Sequence, residues 1–252
     1  MQPTNSGERL QKVIARSGLT SRRRADAMIL SGRVSVNGQT APPGLRVNPS
    51  QDQILVDGVH LPVDPDQVYY LLNKPPGVIS TTYDGPGRKT VVDLVPVHPK
   101  VFPVGRLDAE STGLLILTND GPFANQVTHP RHGVNKIYEV LVKGVVSPSG
   151  LARLRQGVEL EDGPAVPVKI RIIDTSGNTT HLELTMSEGR NREVRRLCDA
   201  AGFPVTDLHR VAIGPLRDRT LKTGSWRNLK IDEVRAFYKH SARGRRPARR
   251  GR

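Results

Sequence analysis

The chain has 252 residues, with 38 lysines and arginines against 24 acids, a formal charge of +14, and +7 of that sits in residues 239–252. Such a balance calls for a polyanionic partner, nucleic acid first and an anionic membrane second. The single cysteine excludes an internal disulfide and a multi-cysteine zinc site, and no apolar run reaches the ~18 residues of a membrane span.

The start, M-Q-P-T-N-S-G-E, lacks the charged head and apolar middle of a signal peptide, so the cytoplasm is the expected compartment. Residues 1–7 read as a flexible terminus. Residues 8–31 then carry two short helices. Leu10, Val13 and Ile14 make one apolar stripe, and after Gly18, Ser21 can cap a second helix that buries Ala25, Met28 and Ile29 and stops at Gly32. Arg22, Arg23 and Arg24 fall in its first turn, where the positive end of the helix dipole opposes them; RNA phosphates there would relieve both dipole and repulsion. Asn37-Gly38 and Asp57-Gly58, each behind a short β-branched run, predict tight hairpins. These elements predict a small RNA-binding domain over residues 8–62, with 63–67 as a linker.

A larger domain is expected over 68–238. Val68 to Leu72 reads as a strand that two prolines, Pro75 and Pro76, must end. The loop of Arg106, Asp108 and Glu110 lies between Gly105 and Gly113. The apolar run Leu114–Thr118 follows, a strand expected to be buried on both faces. Charges in that loop must stay near solvent or find partners, so a rigid strand presents one carboxylate at a fixed place. Taken alone, Asp108 reads first as an acid that pairs with Arg106 or closes a turn. Residues 122–128, 149–156 and 191–201 read as helices; 137–142, 166–173, 181–186 and 205–213 read as extended. On the 191–201 helix Val194, Leu197 and Cys198 face the core, which makes Cys198 a small apolar residue rather than a nucleophile, and Arg195 sits at the edge of the buried face. Tyr138 lies in a strand, where core packing is the default role of an aromatic. A last helix is predicted at 232–239, and residues 239–252, rich in Arg, Gly and Pro, form a disordered basic tether. Strands outnumber helices without strict alternation, so the class is α+β with a mixed, mainly antiparallel sheet flanked by helices.

The order K-V-I-A-R-S-G-L-T-S-R-R-R-A-D-A-M-I-L-S-G-R-V-S-V-N-G resembles the RNA-binding domain named after ribosomal protein S4. Three further segments, G-R-L-D-A-E-S-T-G-L-L-I-L-T-N-D-G, K-I-Y-E-V and E-G-R-N-R-E-V-R-R, follow N-K-P-P-G-V-I-S. In that order they resemble the RsuA/RluB family of pseudouridine synthases, over roughly residues 8–237, and sit closer to its large-subunit branch. The resemblance implies isomerisation of one uridine in rRNA without cofactor or metal, by a monomer that touches no membrane. It implies that Asp108 is the catalytic carboxylate, either attacking the anomeric carbon or removing the neighbouring sugar proton. By the same resemblance Tyr138 stacks on the base, Arg195 pairs with Asp108, and Arg106 fills the gap left by the extruded uridine. Lys136 and Arg210 are candidate phosphate contacts. The family's usual Gln is here Glu193. A non-catalytic rRNA-binding assembly factor on the same scaffold, and the same chemistry on small-subunit rRNA, stand as alternatives. A reader of single-stranded RNA fits less well, because aromatics total only 4%.

Overall fold

The computed structural model describes residues 7–243 apart from 18, 65 and 86, with side chains up to 239. Two compact units emerge: one runs to Val68 and resumes at Leu229, the other is Tyr69–Asn228.

The first unit opens with β1 (Glu8–Arg9), α1 (Leu10–Arg16) and α2 (Arg22–Leu30). The Ser21 side chain caps α2 by accepting from the Arg24 amide, and Gly32, at φ 71°, ends it. Strands β2 (Val34–Val36), β3 (Gln39–Thr40), β4 (Arg46–Val47), β5 (Ile54–Val56) and β6 (Val59–His60) follow. β3-β2-β5-β6 form a four-stranded sheet, and β4 pairs with β1. Both tight turns sit where expected: Asn37, Gly38, Asp57 and Gly58 all adopt positive φ, as a turn matched to strand twist requires. Leu10, Val13, Ile14, Ala25 and Ile29 close over this sheet. Leu61 and Val63 join the same core, so the segment read as a linker from residue 63 begins as packed chain.

The second unit is built on a nine-stranded sheet. Its strands are β7 (Tyr69–Lys74), β8 (Phe102–Val104), β9 (Thr112–Thr118), β10 (Lys136–Lys143), β13 (Lys169–Ser176), β14 (Thr179–Met186), β15 (Val205–Ile213), β16 (Leu216–Arg217) and β17 (Trp226–Asn228). The order is β13-β14-β10-β15-β9-β7-β17, with β8 beside β9 and β16 beside β15. Every pair is antiparallel except β9–β15. Helices α3 (Gly121–Thr128), α4 (Pro148–Gln156) and α5 (Glu193–Ala200) and the small hairpin β11 (Val158–Leu160) with β12 (Gly163–Ala165) complete it. Residues 113–118 of β9 are all buried. Asp120, which ends that strand, also starts α3: its carboxylate accepts from the Phe123 amide at 3.0 Å and from the Tyr69 hydroxyl at 2.6 Å. Helix α5 begins two residues later than the sequence predicts, because Arg192 takes a left-handed conformation at φ 47°.

The last helix, α6 (Ile231–Arg243), departs from expectation twice. It packs on β6 and belongs to the first unit rather than to the second. Ile231 rests on the first unit's core, the Tyr238 ring lies 5.1 Å from His60, and Arg235 Nη2 donates to Val56 O at 2.9 Å. It also runs through residues 239–243, the first part of the segment expected to be disordered; residues 244–252 lie outside the described residues.

Candidate active site

Antiparallel β8 and β9 are joined by residues 105–111, and this connection holds Asp108. Its conformation is fixed from several directions. Ser80 Oγ donates to Leu107 O at 2.8 Å and accepts from Leu107 N at 3.1 Å. Ala109 O accepts from Lys74 Nζ at 3.0 Å and from Gly77 N at 2.8 Å. Arg210 Nε donates to Leu114 O at 2.7 Å, and its Nη1 reaches Arg106 O at 3.5 Å. Lys74 is wholly buried and also donates to Pro75 O and Val78 O, both at 2.8 Å. Burial lowers its ammonium to about 8, with Asp108 and Glu110 pulling the other way. Thus the N-K-P-P-G-V-I-S segment acts as a bracket for the acid-bearing loop.

Gly113 explains itself in the same place. At φ 106°, a Cβ there would lie 2.4 Å from Arg210 O and 2.5 Å from Arg210 N. Only glycine lets β15 approach β9 at the pairing of Arg210 with Gly113.

Around Asp108 the charges interlock. Its Oδ2 lies 3.8 Å from Arg195 Nε and 3.9 Å from Arg192 Nη1. Glu110 competes for both: it pairs closely with Arg192 and sits 3.7 Å from Arg195 Nε. The Arg192 guanidinium holds the Glu110 carboxyl below its usual range. Arg195 is 7% exposed; its Nη2 donates to Ser111 Oγ at 3.2 Å and Nη1 to Val205 O at 3.4 Å. Its Nε is buried without a hydrogen-bond partner among the described residues, so attraction to Asp108 acts through space. The buried face of α5 is as the sequence predicts, and burial pushes the Cys198 thiol up to about 12.

Asp108 and Tyr138 line one cavity of about 140 Å³, whose wall also includes Arg106, Lys136, Arg192 and Arg210. Tyr138 is buried on β10, two residues from Lys136 on the same face of the strand. Burial brings Lys136 down to about 8; Arg210 adds to this and Glu193 opposes it. Asp108 and Tyr138 therefore share the cavity, while Arg195 is not part of its wall and approaches Asp108 from behind, at 3.8 Å. Arg210 is the exception to the phosphate reading: it is 4% exposed and bound to main-chain carbonyls, a brace for the loop. Arg22, Arg23 and Arg24 lie exposed on α2 in the other unit. Glu193 turns its carboxylate to Arg190, at 2.9 and 3.0 Å, and is 5% exposed, which settles a buried acid beside the cavity. Lys74, Ser80, Arg192 and Glu110 are not among the site residues expected from the sequence; a lysine ending an apolar strand before two prolines was the available signal for the first.

The model of the RNA pseudouridylate synthase family matches residues 68–200, and that of the S4 domain residues 8–58. The chain belongs to the RNA pseudouridylate synthase family. The synthase is 44% identical over 232 residues to the ribosomal large subunit pseudouridine synthase B of Bacillus subtilis, covering 90% of this chain and 94% of that one. An RNA pseudouridine synthase of Aquifex aeolicus is 45% identical, covering 92% and 94%. A crystal structure of a pseudouridylate synthase superposes with a TM-score of 0.63 at 32% identity, covering 92% of the synthase and 100% of that chain. No helix among the described residues is long and apolar enough to cross a membrane.

Proposed function

We propose that the synthase isomerises one uridine of large-subunit ribosomal RNA, with Asp108 as the reacting carboxylate. The observation that carries this reading is the cavity shared by Asp108 and Tyr138, of about 140 Å³. A dry cavity of about 150 Å³ accepts one benzene ring, so the volume suits a single planar base taken out of its stack. Once the uridine enters, its C1′–N1 bond breaks, the base turns, and a C1′–C5 bond forms while the C5 proton leaves and N1 gains one. Asp108 either attacks C1′ or takes the adjacent sugar proton. Tyr138 lies against the ring and assists the later proton removal. Arg195 positions Asp108 from its buried side, and exposed Arg106, on the same loop, fills the vacated stack. Lys136 meets a phosphate at the cavity wall. The name of the Bacillus subtilis relative supports the large subunit as substrate.

Mapping pseudouridines in rRNA from cells with and without the gene tests the substrate: one large-subunit position loses its modification. Asp108→Asn should abolish that modification, with activity down by ~10⁴-fold or more, while RNA affinity stays within about twofold. An Asp108→Asn protein that restores the modification would refute the assignment, and a missing small-subunit position would move the substrate.

A further inference from the structure

The first unit holds a second concavity, a groove of about 640 Å³ between α2 and α6. Arg24 and Arg33 reach it from one wall, Arg235 and Lys239 from the other, with Asp57 and Asp232 as its acids. Arg33 and Asp57 cancel each other through two hydrogen bonds of 2.7 and 2.8 Å. Arg235, only 4% exposed, is spent on Val56 O, and its Nε is buried without a hydrogen-bond partner among the described residues. Burial lowers its guanidinium, an effect that Asp232 and Asp57 oppose. The side chains of Arg24 and Lys239 are exposed and make no hydrogen bond among the described residues, although Lys239 acts through space on Asp57. Two exposed cations, Arg24 on α2 and Lys239 on α6, thus flank a groove whose floor carries a third, Arg235.

We propose that this groove binds a phosphodiester of the substrate RNA, so that the RNA-binding unit is a composite of the S4-like fold and α6. The inference rests on RNA as the substrate, but not on the chemistry of Asp108. It divides the arginine triplet: Arg24 faces the groove, whereas Arg22 and Arg23 do not line it. It also gives α6, which comes from the far end of the chain, a part in recognition. Charge complementarity selects the ligand, because a groove with four cations against two acids, and an exposed cation on each wall, attracts a polyanion.

The test uses the full chain with Arg24→Gln, Lys239→Gln, the double variant, and Arg153→Gln on exposed α4 as a control of equal charge. Binding of a fluorescein-labelled fragment of large-subunit rRNA is followed by anisotropy across a salt series. Each groove variant should weaken binding several-fold and lower the slope of log affinity against log salt by about one, the double variant by about two. Turnover should stay unchanged in Arg153→Gln, and thermal melting should confirm the fold of every variant. A Lys239→Gln effect no larger than that of Arg153→Gln would overturn the composite site, as would equal losses in all three single variants. An intact enzyme that binds RNA through the groove yet forms no pseudouridine would instead refute the proposed function and leave the groove standing.

Discussion

At the scale of the residue, Gly113 shows how a motif position can be decided by its neighbour's backbone. Gly113→Ala puts a methyl group 2.4 Å from Arg210 O and forces a β-carbon into φ 106°. The conformational strain alone is worth roughly 1–3 kcal/mol, before the clash is counted. A markedly lower melting temperature is expected, together with lost activity, because Arg210 braces the loop of Asp108. Lys136 governs a second outcome. Its folded value of about 8 means that its charge is present at neutral pH and disappears as pH rises through that point. RNA affinity should therefore fall between about pH 7 and pH 9, and Lys136→Arg, which stays charged throughout, should flatten the fall. An unchanged profile in Lys136→Arg would remove Lys136 from RNA contact. Any inflection that Lys136→Arg retains in turnover, rather than in affinity, reports Lys74.

The loop of Asp108 depends on an element that contributes no group to the cavity. The end of β7 and the turn after it supply Lys74, Gly77 and Ser80, which hold the loop through its main chain at Leu107 and Ala109. Lys74→Met keeps much of the volume but strips donors from three carbonyls, each worth about 1–3 kcal/mol when left buried and unpaired. Displacing the loop by ~1 Å lowers turnover by about 10²-fold. Kinetics at saturating RNA should show this loss in kcat, with RNA affinity near that of the parent protein. A Lys74→Met enzyme with full kcat would mean the bracket is dispensable. This element also marks where sequence reasoning stops. Helices α1 to α4 and the two Asx-Gly hairpins announce themselves locally, through stripes, caps and turn residues. The three acceptors of Lys74 lie one, four and 35 positions away in sequence, and only the folded sheet brings the last of them in. The meeting of Asp108, Tyr138 and Arg195 was legible through family resemblance, since their separate local patterns favoured a turn, a core aromatic and a helix edge. Helix α6 displays an apolar stripe, but nothing in that stripe says which of two cores will cover it.

For the whole molecule, charge and chain order set the behaviour. Residues 244–252 carry five arginines and no acid. Deleting them should reduce the salt dependence of RNA binding, by up to ~0.7–0.9 of slope for each phosphate they neutralise, without changing which uridine is converted. Anisotropy in a salt series and pseudouridine mapping check both halves of that statement. Modification at a different uridine would make the terminal arginines part of target choice rather than a tether.

Helix α6 carries one consequence for biosynthesis. The second unit is contiguous, Tyr69–Asn228, and its sheet needs no strand from outside that range. The RNA-binding unit waits for residues translated after the whole of Tyr69–Asn228, so Ile231 reaches its place only once the second unit has been made. A purified chain ending at Asn228 should resist protease over Tyr69–Asn228 and be cut before Val68.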